Sequence, residues 1–247
     1  MQSFQELNLP EQIARALTAM KYKTPTPIQA QSIPVALTNR DLIGCAQTGT
    51  GKTVAFGTPL VCTLLKVSRK NALILAPTRE LAAQIDKVIG ELTQFLPDMR
   101  RALLIGGVAM GPQERALGKK PRIVIATPGR LIDHLDRGNL SLSASEVVVL
   151  DEADRMLDMG FADQINRIMR FLPKSRQTLL YSATLPTDIL KLAAKYLKDP
   201  VRVTVGTASK PIQKIVQKTI EATNSNKNDV LCNELDTRVG SVLVFAR

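Results

Sequence analysis

The chain has 247 residues with a formal net charge of +11 at pH 7, and 45% of its residues are hydrophobic. This length predicts one well-packed domain, with residues left over for the start of a second. No apolar run approaches the roughly 18 residues needed to cross a bilayer, and the first residues lack a signal-peptide pattern, so we expect a cytoplasmic protein. The three cysteines lack a C-x-x-C spacing, which indicates neither a disulfide framework nor a zinc site.

The positive charge predicts a polyanionic partner, because a basic surface steers and holds nucleic acid through its phosphates. Most of the excess lies in residues 1–205, which hold 27 Lys and Arg against 18 Asp and Glu, whereas residues 206–247 hold 6 against 4. Only 4% of the residues are aromatic and tryptophan is absent, so contact with a nucleic-acid backbone is favoured over stacking on bases. Charge alone leaves open the alternative that the chain binds no nucleic acid.

Two helices are predicted first along the chain. The first is a packing helix, marked by an apolar stripe of Ile13, Leu17 and Met20. Residues 24–29, with the sequence Thr-Pro-Thr-Pro-Ile-Gln, then predict an extended entry into a second helix that opens at Pro27. Gln29 lies in its first turn, where an amide can donate and accept at once and so match the edge of adenine. An ordinary surface glutamine is the alternative.

Residues 46–53, Ala-Gln-Thr-Gly-Thr-Gly-Lys-Thr, predict a phosphate-binding loop that leads into a helix. Gly49 and Gly51 permit positive φ angles and the close approach of an anion, and the helix adds the positive end of its dipole. Lys52 is expected to reach the β- and γ-phosphates, and Thr53 to offer its hydroxyl to Mg²⁺. The strict G-x-x-x-x-G-K-[ST] pattern fails at its first position, so a plain glycine and threonine turn is the alternative.

Short β-branched runs alternate with longer helical patterns, which predicts an α/β fold with a mostly parallel central sheet flanked by helices. The predicted strands are residues 42–45, 72–76, 102–105, 122–126, 147–150, 178–182 and 201–205. Amphipathic helices are predicted at residues 81–92 and 161–172. In the helix after the phosphate loop, Gly57 and Pro59 predict a kink or an end before Leu60, and the boundary stays open.

Polar or small residues follow five of the predicted strands, where a parallel α/β sheet places its ligand sites. They are Pro77-Thr78-Arg79-Glu80, Gly106-Gly107, Thr127-Pro128-Gly129-Arg130, Asp151-Glu152-Ala153-Asp154 and Ser182-Ala183-Thr184. The acidic set follows an apolar strand, where burying carboxylates is costly unless a cation compensates. Asp151 is therefore expected to hold Mg²⁺, and Glu152 to orient or deprotonate a water that attacks the γ-phosphate. A solvated acidic turn is the alternative.

These motifs, in this order over most of residues 1–205, closely resemble the DEAD-box RNA helicases, ATP-driven RNA remodelling proteins built from two RecA-like domains. Alanine at the first position of the phosphate loop is usual in that family. The resemblance implies a RecA-like P-loop domain with ATP and Mg²⁺ as ligands. It also implies that RNA is the partner, held through backbone contacts that do not depend on base sequence.

The resemblance assigns roles to the motif residues. Catalysis is implied for Lys52, Asp151 and Glu152, and Mg²⁺ binding for Thr53 and Asp151. ATP binding is implied for Phe4, Tyr22, Gln29, Thr48, Gly49, Thr50, Gly51, Lys52 and Thr53. RNA binding is implied for Pro77, Thr78, Arg79, Gly106, Gly107, Thr127, Pro128, Gly129 and Arg130. Coupling between the two sites is implied for Asp154, Ser182 and Thr184.

Some residues lie outside this pattern. Lys21 stands where the family usually has glycine. His134, the only histidine, is interpreted as structural rather than catalytic. The methionines within residues 155–161 are interpreted as packing beneath the acidic turn.

We predict a first RecA-like domain at residues 1–205, a linker at 206–216 and an incomplete start of a second RecA-like domain at 217–247. In that last part, strands are predicted at 215–220 and 241–245, around a helix near 229–235. Because the family's later motifs are absent, we expect the chain to bind ATP and contact RNA but barely to hydrolyse ATP. The competing hypotheses are a binding-only module and another P-loop enzyme, such as a DNA helicase.

Overall fold

The computed structural model describes residues 3–206 and 218–245 of the chain. The chain divides into two compact units, residues 1–208 and 209–247, and each is described by itself. Apart from Gly206, the predicted linker lies outside the described residues. The division into a RecA-like domain, a linker and the start of another domain therefore stays a prediction.

Seven strands form the central sheet of the first unit, and the sequence predicts all seven. They are β1 Leu42–Cys45, β2 Asn71–Leu75, β3 Arg101–Leu104, β4 Ile123–Ala126, β5 Ser145–Leu150, β6 Gln177–Ser182 and β7 Val201–Thr204. The predicted bounds differ from these by at most two residues. Every neighbouring pair of strands is parallel, so the predicted α/β fold is confirmed.

The strands lie in the order β3-β4-β2-β5-β6-β1-β7. Strand β1, which leads into the phosphate loop, lies between β6 and β7, with Leu42 opposite Leu179 on one side and Val201 on the other. Because all seven strands point the same way, their carboxyl ends meet at one edge of the sheet. The five polar or small segments that follow the strands therefore gather at that edge.

Helices cover both faces of the sheet. Within residues 3–206 they are α1 Glu11–Ala19, α2 Pro27–Leu37, α3 Lys52–Lys66, α4 Arg79–Leu92, α5 Met110–Gly118, α6 Pro128–Asp136, α7 Ala153–Asp158, α8 Ala162–Arg170 and α9 Thr187–Tyr196. Helices α1 to α4 share one core, which includes Phe56 and Ile85. Helices α5 to α9 share the other, which includes Leu131 and Ile165. Among the described residues, none of the helices is both long and apolar enough to cross a membrane.

Helix α3 runs without interruption past Gly57 and Pro59, so the expected end before Leu60 is wrong. Gly57 allows α4 to approach closely, since a Cβ there would lie 2.8 Å from Ile89 Cδ1 and 2.9 Å from Leu92 Cδ1. Gly57 and Pro59 are both buried residues of α3. Tertiary packing against α4 thus outweighs the poor helix propensity of Gly57.

The second unit is described over residues 218–245 and contains helix α10, Lys227–Asp236, which confirms the predicted helix. The strand predicted at 241–245 is wrong, and residues 218–220 of the other predicted strand are not a strand either. None of the residues of α10 is buried, and Phe245 is 88% exposed. A strand pattern forms a sheet only where a neighbouring strand supplies hydrogen bonds, and this described segment offers none.

Candidate active site

The predicted phosphate loop lies between β1 and α3, at the carboxyl edge of the sheet. Gly49 and Gly51 have φ angles of 80° and 89°, a left-handed conformation that glycine adopts without strain. Gly51 is the N-cap of α3, so the N–H groups of the first helical turn face the loop. The buried Lys52 side chain donates from Nζ to the Ala46 carbonyl at 3.1 Å. A helix N-terminus and one buried cation together suit an anion such as phosphate.

Gln29 joins the first turn of α2 to this loop. Its side chain is fully buried, with Oε1 accepting from the Thr26 N–H at 2.9 Å and Nε2 donating to the Gly51 carbonyl at 3.1 Å. The first contact caps α2, and the second holds the phosphate loop. Both ends of the amide are engaged with the protein, and its role in reading adenine stays a prediction.

Two aromatic residues lie beside the loop. Phe4 is buried and packs edge-on against Tyr22, with ring centroids 6.3 Å apart. The half-buried Tyr22 lines the same pocket as the phosphate loop. Lys21, the residue before it, has a φ of 63°, in the left-handed region that favours glycine. A glycine at this position would fit the backbone without the strain that lysine carries.

The acidic residues after β5 are buried next to the loop. Asp151 is 2% exposed and Glu152 is 8% exposed. Glu152 pairs with Arg155, Oε2 to Nη1 at 3.3 Å, whereas Asp151 takes part in none of the ion pairs found among the described residues. Burial raises the pKa of Asp151 to about 6, although Lys52 acts to lower it. A bound cation would remove the cost of burying this carboxylate.

One pocket of about 260 Å³, here called the phosphate-loop pocket, brings these groups together. Eight predicted site residues line it, namely Tyr22, Thr48, Gly49, Gly51, Lys52, Thr53, Asp151 and Glu152. Phe4, Gln29 and Thr50 do not, and the Thr50 hydroxyl donates to the Gln47 carbonyl at 2.7 Å. Sequence reasoning missed Leu81, Gln84 and Val88, which line the pocket from α4. Their spacing along a helix that starts at a strand end was the available signal.

A second depression, here called the strand-end groove, lies at the same edge over the ends of β2, β3 and β4 and has a volume of about 640 Å³. It contains eight of the nine residues predicted to hold RNA, namely Pro77, Thr78, Arg79, Gly106, Gly107, Thr127, Gly129 and Arg130. Pro128, the ninth, is the buried first residue of α6. A larger groove of about 1030 Å³, along edge strand β3, contains none of the predicted site residues.

Glycines and arginines form much of the strand-end groove. A Cβ on Gly106 would lie 3.3 Å from Arg79 Nε, so the guanidinium rests against the glycine backbone. Arg79 is exposed and takes part in none of the ion pairs found in the described part of the chain. Arg130 donates from Nη1 to the Val108 carbonyl at 2.9 Å. Exposed backbone beside an unpaired cation suits a phosphodiester chain.

The strand-end groove also contains Asp133, Met159 and Phe161, which sequence reasoning missed, and Glu80, which the sequence placed in a strand-end segment without a role. Met159 is 48% exposed, so its interpretation as packing is wrong, whereas Met156 is fully buried. No periodicity marks Met159, because it is the C-cap of the short helix α7. Asp133 lies 3.5 Å from Arg130, Oδ2 to Nε, and so offsets part of the positive charge of the groove.

Asp154 connects the acidic turn to the loop after β6. Its Oδ2 accepts from the Ala183 N–H at 3.1 Å and from the Thr184 N–H and hydroxyl at 2.9 Å each. The Ser182 hydroxyl donates to the Thr184 carbonyl at 2.6 Å. Burial acts to raise the pKa of Asp154, but hydrogen bonds from Thr184, Arg155 and Ser182 together outweigh burial, and the pKa lies below its usual value. The contact therefore holds an ionised carboxylate, and its coupling role stays a prediction.

His134 lies in the interior, away from both depressions. The side chain is fully buried on α6, 3.3 Å from Gln113 Oε1 and 3.3 Å from Asn139 Nδ2. Burial, reinforced by the nearby Arg130, lowers the pKa of His134 and keeps the ring neutral at pH 7. This placement agrees with its interpretation as a structural residue.

A family model and individual protein sequences both match this chain. The family model of the DEAD/DEAH box helicase matches residues 26–192. The DEAD-box ATP-dependent RNA helicase CshA of Geobacillus kaustophilus is 42% identical over 249 residues, covering 100% of this chain and 53% of that protein. The ATP-dependent rRNA helicase rrp-3 of Neurospora crassa is 47% identical over 207 residues, covering 83% of this chain and 40% of that protein.

The crystal structure of a DEAD box protein from the hyperthermophile Methanococcus jannaschii superposes with a TM-score of 0.79. It is 37% identical, and the match covers 96% of this chain and 64% of that one. The chain spans about half the length of the curated relatives it matches. The family match includes the phosphate loop, the acidic turn and all the strand-end segments. This chain belongs to the DEAD/DEAH box helicase family.

Proposed function

We propose that this chain binds ATP in the phosphate-loop pocket and one strand of RNA in the strand-end groove, as part of an ATP-dependent RNA helicase. The observation that carries the proposal is that both depressions lie at the carboxyl edge of one parallel sheet. Asp154 bonds to the loop after β6, so a movement of the acidic turn at the nucleotide site would also move that loop. The curated relatives named above are ATP-dependent helicases acting on RNA or rRNA.

In the nucleotide site, the N–H groups at the start of α3 and the Lys52 ammonium bind the β- and γ-phosphates. Tyr22 stacks on the adenine ring, Phe4 braces Tyr22 from behind, and Gln29 reads the adenine edge. Two observations support these roles: Phe4 and Tyr22 are in contact, and Gln29 donates a hydrogen bond to Gly51 of the loop. Rotation of the Gln29 amide away from the Gly51 carbonyl frees a donor for the base.

Mg²⁺ fits the donor set of the pocket. Among the described residues, no group of three or more His, Cys, Asp or Glu forms a protein-only metal cage. Mg²⁺ commonly binds through one or two protein oxygens together with substrate phosphates and water. Asp151, buried and without an ion pair, and the Thr53 hydroxyl are the residues that would hold it. The ion would neutralise phosphate charge and orient the terminal phosphate.

Glu152 orients or deprotonates the attacking water. Its carboxylate is buried at the pocket and pairs with Arg155, which does not itself line the pocket. For hydrolysis, the protein must mainly hold a water in line with the γ-phosphate and stabilise the charge that develops there.

In the strand-end groove, one RNA strand binds through its phosphates and riboses. The glycine backbone at 106–107 and the Arg79 guanidinium contact phosphates, and the remaining polar groups contact 2′-hydroxyls, which distinguish RNA from DNA. Backbone contacts carry no base information, so binding is independent of sequence.

This chain by itself turns over ATP slowly. Among the described residues that line the phosphate-loop pocket, Lys52 is the only cationic side chain. Arginines that neutralise the transition state from outside a P-loop raise turnover by roughly 10³ to 10⁵. We place those arginines in the part of the longer relatives that this chain does not match.

We also expect the protein to act in the cytoplasm.

The deciding experiment measures ATP and GTP binding, RNA and DNA binding, and ATP turnover with and without RNA. We expect ATP to bind more tightly than GTP, RNA more tightly than DNA of the same sequence, and turnover to stay near background. A preference for DNA would favour a DNA helicase, and turnover that RNA stimulates to the rate of a full-length relative would contradict the slow-turnover proposal.

The adenine contact is tested by Gln29→Ala. Loss of one bidentate contact, worth about 1 to 3 kcal/mol, should weaken ATP binding roughly fivefold to a hundredfold and relax discrimination against GTP. Because Gln29 also holds the loop, discrimination rather than affinity is the decisive measurement. Unchanged discrimination in this variant would remove Gln29 from the adenine site.

A further inference from the structure

The segment at residues 105–109, between β3 and α5, carries Gly106 and Gly107 into the strand-end groove. In the described chain, none of the backbone-to-backbone hydrogen bonds outside helices and strands involves this segment. Gly107 has a φ of 75°, which places it in a turn rather than in an extended strand. The shape of the segment therefore depends on side chains that reach it from elsewhere.

Gln113 is one of these side chains. It is 4% exposed, on α5, and its Nε2 donates to the Ile105 carbonyl at 3.0 Å and lies 3.5 Å from the carbonyls of Val108 and Ala109. Carbonyl oxygens only accept hydrogen bonds, so the NH₂ end of the amide must face the segment. The Gln113 Oε1 must then accept a hydrogen bond from the opposite side, because a buried acceptor without a donor is costly.

His134 supplies that donor. Its Nε2 lies 3.3 Å from Gln113 Oε1, and its Nδ1 lies 3.3 Å from Asn139 Nδ2, which also donates to Glu114 Oε1 at 3.1 Å. Since an amide nitrogen can only donate, Nδ1 is the acceptor and the ring proton is on Nε2. One neutral tautomer of His134 therefore satisfies every group in this series of hydrogen bonds. The same tautomer fixes the orientation of the Gln113 amide.

The two residues also connect two halves of the groove. His134 is on α6, one turn after Arg130 and in the same helix as Gly129, whereas Gln113 holds the segment with Gly106. Arg130 adds a direct contact to the Val108 carbonyl. The distance between the phosphate-binding groups of α6 and those of residues 105–109 is therefore set by buried hydrogen bonds rather than by the sheet alone.

We propose that Gln113 and His134 are positioning residues that hold the Gly106–Gly107 backbone and the start of α6 at the spacing that one RNA strand requires. The inference rests on the proposed function, since it concerns the RNA site. Neither residue lines the strand-end groove, so neither is expected to contact RNA.

The test compares Gln113→Met with a matched control, Gln177→Met. Gln177 is 1% exposed, and its Nε2 donates to the carbonyls of Ala36 and Arg40 at 2.8 Å each. It is thus a buried glutamine that also bridges backbone carbonyls, but it begins β6 at the amino end of the sheet, away from the groove. Both variants are expected to lose thermal stability to a similar degree, because both leave buried carbonyls without a donor.

Only Gln113→Met should change RNA affinity. With a single-stranded RNA oligonucleotide as the probe, we expect a loss of roughly fivefold to thirtyfold in this variant, the range for one or two lost hydrogen bonds, and no change in ATP binding. Amide exchange at Gly106 and Gly107 should become faster in the same variant. His134→Leu should reproduce both effects, whereas His134→Gln, whose amide also donates, should bind RNA within about twofold of the unaltered chain.

Three outcomes would count against this inference. If both methionine variants lose RNA affinity in proportion to stability, Gln113 is structural only. If the unaltered chain binds RNA and Gln113→Met binds it equally well, the positioning role is overturned while the RNA-binding proposal stands. If the unaltered chain does not bind RNA, the proposed function fails and this inference fails with it.

Discussion

The phosphate-loop pocket and the strand-end groove lie at the same edge of one sheet but are built in opposite ways. The pocket buries its charges: Lys52, Asp151 and Glu152 are 6%, 2% and 8% exposed. The groove keeps Arg79 in solvent beside glycine backbone, although its other arginine, Arg130, has a side chain that is only 14% exposed. The pocket therefore holds its charges out of water, whereas three of the four charged side chains of the groove, on Arg79, Glu80 and Asp133, face solvent.

This difference predicts how each site fails. Buried charges interact strongly and leave a large penalty when a partner is missing, so one substitution in the pocket should have a large effect. Exposed charges are screened, and each contributes little, so the groove should lose affinity in small steps. The expected effects below run from the largest to the smallest.

Lys52→Ala should abolish measurable ATP binding. A hydrogen bond to a charged group is worth about 1.5 to 3 kcal/mol, so losing two of them weakens binding by more than about a hundredfold. RNA affinity should change by less than about twofold, because a charge across the sheet edge is screened. Titration of both ligands checks this, with Lys66→Ala at the far end of α3 as the control. An equal loss at both sites would show that they are not separate.

Gly51→Ala should destabilise the fold by about 2 kcal/mol, the typical cost of a non-glycine residue in the left-handed region. Gly51 has a φ of 89°, and a Cβ there would press on the Gln29 amide. Thermal unfolding measures the change. Gly118→Ala is the control, because nothing lies within 4 Å of its Cβ position, and it should be neutral or slightly stabilising. Similar losses in both variants would contradict the special role of the loop glycine.

Arg79→Ala should weaken RNA binding only about fivefold, the upper range for an exposed charge pair. If the unaltered chain neutralises about three phosphates, the logarithm of its affinity should fall with the logarithm of salt at a slope near −2. The variant should flatten this slope by about 0.7, the share of one phosphate on a single strand. Arg170→Ala, an exposed arginine at the end of α8, is the control and should leave the slope unchanged.

Lys21→Gly should stabilise the fold by about 0.5 kcal/mol. The left-handed conformation costs an L-residue roughly 1 to 2 kcal/mol, and the greater flexibility of unfolded glycine offsets part of that gain. Lys23→Gly lacks the positive φ, so it should be neutral or destabilising. Differential scanning calorimetry compares the two variants, and a lower melting temperature in Lys21→Gly would contradict the strain.

The smallest effect should be a change in pH dependence at His134. Its pKa is lowered by burial, then by Arg130 and Arg137, against Glu114 and Asp133. The unfolded histidine therefore binds a proton at a pH where the folded one does not, and its stabilising contribution is present above about 6.5 and is lost as pH falls. The melting temperature of the unaltered chain should drop relative to His134→Gln between pH 7 and pH 5. If the difference in melting temperature between the two proteins does not change with pH, His134 is not a neutral, buried ring.

The sequence predicted the residues at the sheet edge well, because in a parallel sheet the position of a residue after a strand also determines where it lies in space. Once the strands were found, the residues after each strand had to meet at one edge, and eight predicted groove residues do so. The glycines of the phosphate loop were equally readable, since Gly49 and Gly51 both have the positive φ angles that the motif requires.

What the sequence could not predict depends on contacts between elements. Gln113 occupies an unremarkable helix position, and only the contact between α5 and α6 gives it His134 as a partner. The run 241–245 has strand composition, but composition does not supply a neighbouring strand. Gly57 has low helix propensity, yet the contact between α3 and α4 keeps it in the helix.

The position of β1 between β6 and β7 has a consequence for synthesis of the chain. β1 is the first of the seven described strands to be synthesised, yet its neighbours begin at Gln177 and Val201, so it has no partner until β6 has been made, whereas β2, β3, β4 and β5 can already pair with one another. At roughly 5 to 20 residues per second, β1 waits on the order of ten seconds or more for its partners. During that interval the nascent chain exposes an unpaired apolar strand, a natural target for chaperones, and cannot yet form the nucleotide site that β1 supports.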